Sequence, residues 1–383
     1  MWIHRLQNTT PVVVMGHGGV GSATLRLLVA NSQYQVVGIV WSDGSRTLND
    51  RGALTNFIHL QKAERRATFE QWKTLNDLLD ELKNSEIKPM IVDAGSHSDI
   101  NDHPELLRQW FQVATARKDP LAYSEASVAH SMLRNPHYGA ETTIMANEWV
   151  IGRIMSERFD PNSQWPISSI QKIELISSWT LAGNVQKQLT WISASASAQE
   201  LIHNGDTEPD PTLDFCGIDF GKKLIGAARA AGYGVDFADI VFGAGFLSLD
   251  YRDLYKDIDM RNDQARNSAH TALIGRIQQN EDERMKGYFT QVPVWMVPGY
   301  VGTILANDDG WVSIVAELKL VPQDSKLWKA ELNIALITID NGEGSINPVV
   351  IEWRWSWYQK TAAWLVRDMN RIRLVRPNPY IGR

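Results

Sequence analysis

The stretch "VVVMGHGGVGSATLRLL", residues 12–28, decides the fold. An apolar run over Pro11–Met15 reads as a short strand, and the spacing over Ser22–Ala30 predicts a helix. Between them Gly16, Gly18 and Gly21 form G-x-G-x-x-G. A strand, a glycine turn and a helix in that order suit a dinucleotide-binding unit. Gly16 permits the tight turn, Gly18 lets a pyrophosphate approach the backbone, and Gly21 lets the helix pack on the sheet. Gly19 and Val20 complete the loop, where the first turn of the helix offers free N–H donors to phosphate. The same pattern occurs in ordinary glycine-rich turns; its weight comes from standing between strand and helix.

Further along, Gln35–Trp41 reads as a second strand. Trp72, Leu75, Leu78, Leu79 and Leu82 have helical spacing and predict a helix over Thr68–Leu82. Met90–Asp93 and Gln112–Ala116 read as strands around a helix at Pro104–Trp110. Such alternation implies an α/β class with a Rossmann-type doubly wound parallel sheet. Asp43 lies about 22 residues beyond Gly21, where an acid binds a ribose 2′-OH and favours NAD. Arg46 lies near enough to meet a 2′-phosphate and favour NADP. Both also suit an ordinary loop, and the choice stays open.

The middle of the chain reads as mixed. Ser169–Ile176 is a strand, Gly217–Ala231 a helix stopped at Gly232, and 252–286 a charged helical stretch. Trp311–Leu320 and Glu331–Ile339 alternate apolar and polar residues, as antiparallel strands do. Ala362, Leu365, Met369 and Ile372 stripe a last helix over Thr361–Arg373. The expected domains are therefore a dinucleotide-binding domain over 1–135, a mixed α+β substrate-binding and dimerisation domain over 136–340, and a C-terminal segment over 341–383 that returns to the first.

The composition narrows the function. The 383 residues are 44% apolar and 21% charged, with net charge −6, which fits a globular protein and argues against nucleic acid or an anionic membrane as partner. A single cysteine, Cys216, excludes an internal disulfide or a cysteine-rich metal site and fits a reducing cytoplasm. The first residues lack the pattern of a secretory leader, and no apolar run is long enough for a membrane span. The histidines form no H-E-x-x-H pair.

"NGDTEPDPTLDFCGIDFGKKLIGAARAAG", residues 204–232, is the most specific stretch. Asp219 and Lys223 share one face of a helix. Read alone, such a pair is a surface ion pair worth a few tenths of a kcal/mol. The wider pattern, Pro211, Asp214, Gly217, Asp219 and Lys223 behind Glu208-Pro209-Asp210, resembles the signature of homoserine dehydrogenases. The glycine loop, "VATARKDPLAYS" (113–124), "YGAETTIMAN" (138–147), "VGTILANDDG" (301–310) and "NPVVI" (347–351) are similar to runs of the same family, especially in the dehydrogenase portion of the bifunctional aspartokinase–homoserine dehydrogenases. The likeness runs from about residue 11 to 375.

The resemblance implies hydride transfer between NADP or NAD and L-aspartate 4-semialdehyde, giving L-homoserine. It implies that Lys223 delivers the proton, that Asp219 orients it, and that Lys118 lies near nicotinamide and substrate. Glu208 would hold the substrate ammonium, Asp214 would support it, and Thr180 would sit at the substrate-side turn. Ser96, after the strand at Asp93, would touch the cofactor. A monovalent cation such as sodium would sit at Glu141, Ile144 and Ala146. The family's habit suggests a homodimer.

The departures from the family concentrate at glycines. Met145 and Asn147 replace two, Trp179 replaces one within Ser178-Trp179-Thr180, and Trp110 stands where one precedes the strand before Lys118. Trp149 replaces a proline, and Asp93-Ala94-Gly95 replaces Asp-Cys-Thr. "EWRWSWYQ" (352–359), read alone, is an amphipathic strand; in the family's register it is a glycine-rich strand-to-helix turn. There Trp353, Trp355, Trp357 and Trp364 stand at four glycines. Tryptophan forbids the positive φ and the close approach that glycine allows. The sequence therefore leaves three readings: a divergent working enzyme, a catalytically impaired homologue that keeps the fold, or a dehydrogenase of another small carbonyl compound.

Overall fold

The computed structural model describes residues 9–16, 18–41, 44–48, 50–60, 62–71, 73–95, 102–144, 150–158, 170–176, 180–190, 192–260, 262–293, 295–307, 309–322, 334–340, 349–354 and 358–375. By compactness the chain divides into two units: Met1–Arg153 with Ser356–Arg383, and Ile154–Trp355.

The first unit opens with β1 (Thr10–Met15), α1 (Gly19–Ala30), β2 (Tyr34–Trp41), β3 (Gly44–Thr47), α2 (Arg51–His59), α3 (Lys62–Ala67), β4 (Glu70–Gln71) and α4 (Leu75–Asn84). It continues through β5 (Met90–Asp93), α5 (Asp102–Arg108), β6 (Val113–Thr115), α6 (Asp119–Tyr123), α7 (Ala126–Arg134) and β7 (Tyr138–Gly139). Its sheet has the order β4-β3-β2-β1-β5-β6-β7. The five strands from β2 to β7 are parallel, while β3 and β4 add antiparallel. After β4 the chain crosses back to β5 on the other side of β1. That reversal makes the C-terminal ends of β1 and β5 the topological switch point, where open α/β sheets bind ligands. The Rossmann-type parallel sheet expected from the alternation is therefore present.

The helix expected over Thr68–Leu82 starts later. Residues 68–82 are not one helix; β4 interrupts them and α4 begins at Leu75. The cause is local. Thr74 and Asp77 form a capping box, in which the Thr74 side chain accepts the Asp77 N–H and the Asp77 carboxylate accepts the Thr74 N–H. That arrangement starts a helix at the residue after the threonine. Leu78, Leu79 and Leu82 are then buried as their spacing predicts.

The helix α8 (Val150–Arg158) leads into the second unit's chain. There β8 (Lys172–Ile176), α9 (Thr180–Leu189), α10 (Ala194–Asn204), α11 (Thr212–Phe215), α12 (Ile218–Ala230) and β9 (Ile240–Phe242) precede α13 (Asp263–Asn280) and α14 (Asp282–Phe289). Of the stretch 252–286 read as charged and helical, residues 263–286 belong to two helices that meet at Glu281, whereas 252–254 end a 3-10 turn and 255–260 are in neither helix. β10 (Met296–Ala306), β11 (Val312–Pro322), β12 (Ile334–Asp340) and β13 (Val349–Arg354) complete a sheet of order β13-β12-β8-β10-β11-β9. Only β9 is parallel to its neighbour. A Cβ on Gly302 of β10 would lie 2.3 Å from Leu224 Cδ2, so that glycine lets α12 sit close on the sheet.

The last helix, α15 (Tyr358–Arg373), completes the first unit. Its striped residues Leu365, Met369 and Ile372 are fully buried in the same core as Val12, Val14, Leu25, Leu28 and Tyr34.

Candidate functional site

β1 delivers the chain to Gly16, whose φ of +81° is one that glycine adopts without strain. A Cβ there would lie 2.6 Å from Gly95 Cα, so the turns after β1 and β5 touch backbone to backbone. A Cβ on Gly21 would lie 2.0 Å from the Gly16 carbonyl oxygen, which is why α1 can pack only on a glycine. Gly18, the N-cap of α1, is different: nothing lies within 4 Å of where its Cβ would be. The first helical hydrogen bond runs from the Ser22 N–H to the Gly18 carbonyl at 2.9 Å. The N–H groups of Gly19, Val20 and Gly21 come before it and belong to the turn whose donors an anion can satisfy. These features fit a dinucleotide phosphate. Gly19 adds one restriction, because its Cβ would lie 2.5 Å from the ring of Tyr358, the first residue of α15.

Arg46 on β3 places its guanidinium 5.9 Å from the Phe57 ring centroid, and Arg65 lies 5.6 Å from the same ring. Arg65 also donates to Ser22 Oγ at 3.0 Å. Burial, then the charge of Arg26, pulls the Arg65 pKa down. Asp43 and Ser96 lie outside the described residues.

The turn after β5 is held by a buried network that nothing in the local sequence announced. Asp93 accepts the Gly95 N–H at 2.9 Å through one oxygen. Its other oxygen lies 2.9 Å from His103 Nε2, and His103 Nδ1 lies 3.0 Å from the Tyr138 hydroxyl. Arg117 Nη1 is 4.0 Å from Asp93, and its Nε donates to Asp119 at 3.1 Å. Burial, then the charge of Asp93, raises the Tyr138 hydroxyl pKa. Lys118 is the half-buried N-cap of α6, and its carbonyl accepts the N–H groups of Leu121 and Ala122.

The second unit gathers the acidic–lysine stretch in one place. Gly205, with φ of +72°, ends α10 and turns the chain into 206–211. The Glu208 N–H donates to Asp214 Oδ2 at 2.8 Å. Gly217, with φ of +77°, then starts α12 under Phe246, 2.6 Å from where a Cβ would lie. One turn into α12, Lys223 Nζ lies 3.0 Å from Asp219 Oδ2, and both side chains are mostly buried at 24% and 18% exposure. Asp214 stays protonated well above the usual carboxylate range, through burial first and then the charges of Glu208 and Asp219; Lys223 opposes the shift. Three carboxyl groups and one ammonium thus act on one another. Thr180, first residue of α9, donates from Oγ1 to the Asp206 carbonyl at 2.6 Å and ties that helix to the same loop.

Glu141 is buried in the first unit. Its carboxylate accepts the N–H groups of Ile151 and Gly152, each at 3.0 Å, and so caps the start of α8. Its own N–H donates to Asp368 Oδ2 at 3.0 Å. Burial raises its pKa first, while Arg371 opposes. Ile144 is buried, and Ala146 lies outside the described residues. Among the described residues no group of three or more His, Cys, Asp or Glu side chains could hold a metal ion.

The tryptophans at glycine positions fall in unlike places. The backbone of Trp353 pairs with Ala335 within β13. Trp364 lies on α15, with the Arg367 guanidinium 4.2 Å from its ring centroid. Trp110 follows α5 with φ of +64°. Met145, Asn147, Trp149, Ser178, Trp179, Trp355 and Trp357 lie outside the described residues.

No protein-family model matches the chain. Solved structures share its fold across nearly their whole length. A Candida auris protein of unknown function superposes with TM-score 0.70 at 18% identity, over 95% of this chain and 98% of that one. A homoserine dehydrogenase from Thermoplasma acidophilum gives TM-score 0.65 at 16% identity, over 96% and 100%. A putative homoserine dehydrogenase from Archaeoglobus fulgidus gives 0.64 at 14%, over 95% and 99%. The chain therefore has a Rossmann-type α/β fold with an auxiliary mixed domain. That is the fold these homoserine dehydrogenases share.

Proposed function

We propose that the protein is an NAD(P)H-dependent oxidoreductase of the homoserine dehydrogenase type, interconverting L-aspartate 4-semialdehyde and L-homoserine in threonine and methionine biosynthesis. The observation that carries this reading is the Glu208, Asp214, Asp219 and Lys223 cluster. Its pattern resembles the family's signature, and its members come from a loop, a short helix and the first two turns of α12. A hyperthermophilic archaeal homoserine dehydrogenase of the same fold, at TM-score 0.63 and 16% identity, has been solved in complex with NADPH.

When bound, the reduced nicotinamide supplies the hydride for the aldehyde carbon. The residues of this chain do the rest. The turn at Gly16, Gly18 and Gly21 holds the pyrophosphate, with Gly19 and Val20 N–H groups as donors. Lys223 donates a proton to the carbonyl oxygen as charge develops there, a role typically worth 10²–10⁴-fold in rate. Asp219, 3.0 Å from Lys223 Nζ, keeps that ammonium aimed. Glu208, exposed at the rim, takes the substrate ammonium, and Asp214 fixes the Glu208 backbone. Thr180 steadies the loop, and Lys118 assists at the nicotinamide end. Asp43, Ser96 and Arg46 line the cofactor, and the choice between NAD and NADP falls to Asp43 and Arg46. A cytoplasmic homodimer fits this reading.

The test is consumption of reduced nicotinamide, monitored by its absorbance, when L-aspartate semialdehyde is added with NADPH or NADH. Turnover with either supports the proposal; none with both, from folded protein, sinks it. One observation favours a second reading. The ring of Tyr358 covers Gly19 at the N-terminus of α1, where a phosphate would bind. A catalytically impaired homologue that keeps the fold would then turn nothing over, and quenching of its tryptophan fluorescence by NADPH would show that nucleotide binding survives the ring. Absence of both signals would remove the nucleotide reading as well.

A further inference from the structure

A monovalent cation at Glu141 would need oxygen ligands and a surround that still lacks positive charge. Among the described residues the oxygens are present, but the positive charge is already there. Both Glu141 oxygens already accept N–H groups, from Ile151 and Gly152, at the positive end of α8. A guanidinium reaches the same carboxylate from α15. Arg371 Nη1 lies 4.0 Å from Glu141 Oε1, and Nη2 lies 3.6 Å from Asp368 Oδ1. The same Nη2 donates to the Tyr138 carbonyl at 3.2 Å. Two carboxylate oxygens and one carbonyl oxygen converging on one positive charge are the ligands a hard monovalent cation would take. Here they hold an arginine, whose charge repels a second cation. The approach is built in. A Cβ on Gly139 would lie 2.9 Å from Asp368 Cβ, so only glycine lets α15 bring Asp368 and Arg371 this close. Asp368 in turn accepts the N–H groups of Glu141 and Thr142, which fixes the segment that carries the carboxylate.

We propose that Arg371 is a built-in cation that neutralises Glu141 and Asp368 and ties α15 to residues 138–152, so that the chain takes no sodium or potassium ion at Glu141. The inference is independent of the reaction, because its test reads stability. Thermal unfolding of the full chain is measured in sodium, potassium and tetramethylammonium chloride at one ionic strength. A ligand that binds only the folded state raises the midpoint in a saturable way. The expected result is one midpoint, within about 1 °C, in all three salts. A saturable rise of more than about 3 °C with sodium or potassium overturns the proposal. Arg371→Met is expected to lower the midpoint, and Arg371→Lys, which keeps the charge, to recover most of the loss. An unchanged midpoint in Arg371→Met overturns the counterion role. If that variant does not fold, the salt comparison on the unmodified chain still decides.

Discussion

At Trp110 the chain holds an indole in a backbone conformation that glycine adopts most easily, with φ of +64°. The reason is the end of α5. The Trp110 N–H bonds to the Leu107 carbonyl at 3.0 Å and the Phe111 N–H to the Leu106 carbonyl at 2.9 Å, a Schellman arrangement that needs a left-handed residue between. The indole is 43% exposed, so only part of it packs to set against the strain. Trp110→Gly is expected to raise stability by roughly 0.5–1 kcal/mol, because relief of strain exceeds the extra freedom glycine has when unfolded. A urea midpoint that rises at unchanged slope would show it; one that falls would mean the indole's contacts matter more than its backbone. This position shows what sequence reading does well and badly. The replaced glycine is visible in the letters, but its consequence is a local helix end. Trp364, another tryptophan at a family glycine position, is likewise a half-buried residue of a helix, with Arg367 over its ring. At Lys223 the letters carry more. The Asp219 spacing predicts the 3.0 Å contact that the structure contains, while Glu208 and Asp214, named by the family-like pattern and not by spacing, reach the cluster from the preceding loop and the short helix α11. If Lys223 delivers a proton, Lys223→Ala lowers kcat by about 10²-fold or more with the fold intact. A loss under about tenfold removes the role.

The elements carry a different kind of information. The alternation of β1, α1 and β2 follows directly from short-range pattern, whereas α4 begins seven residues later than its leucine spacing alone predicts because a capping box sets its start. The helix α15 shows the same division. Its apolar stripe is visible in sequence, but not the carboxyl group that it buries. Asp368 is pushed up to about 7, first by burial and then by the Glu141 carboxylate. The raised value means that, between the ordinary carboxylate range and about pH 7, the folded chain keeps a proton the unfolded chain has released. Stability must therefore fall as pH rises through that window and level off above it. Burial of Glu141 and Asp214 acts with the same sign. Asp368→Asn, which keeps an oxygen for the Glu141 N–H, is expected to flatten the slope without abolishing it. Unfolding midpoints at several pH values between 4 and 8 test this, and a variant with the parent's full slope would contradict it.

At the scale of the whole molecule, what decides the structure is contact between residues far apart in the chain. The parallel sheet class follows from the alternation, but the order β4-β3-β2-β1-β5-β6-β7 places β1 beside β5 across the 74 residues between Met15 and Met90. Asp93, His103 and Tyr138 then meet in a network that no short window of sequence contains. The core of the first unit depends on the same kind of closure. Leu365, Met369 and Ile372, fully buried, pack with Val12, Val14, Leu25 and Leu28 from the other end of the chain. Fully burying a side chain of this size contributes roughly 1.5–3 kcal/mol, so three of them amount to a large share of the roughly 5–15 kcal/mol that holds a domain folded. A chain ended after Trp355 keeps every strand of both sheets yet lacks those three residues. The first unit is then expected to lose its cooperative unfolding and any affinity for NADPH, while β10 and β11 stay protected, because the second unit keeps all of its own chain. Amide hydrogen exchange separates the two units directly. Amides of β1 and β5 that exchange as slowly in the shortened chain as in the full one would show that the last helix covers the first unit without holding it together.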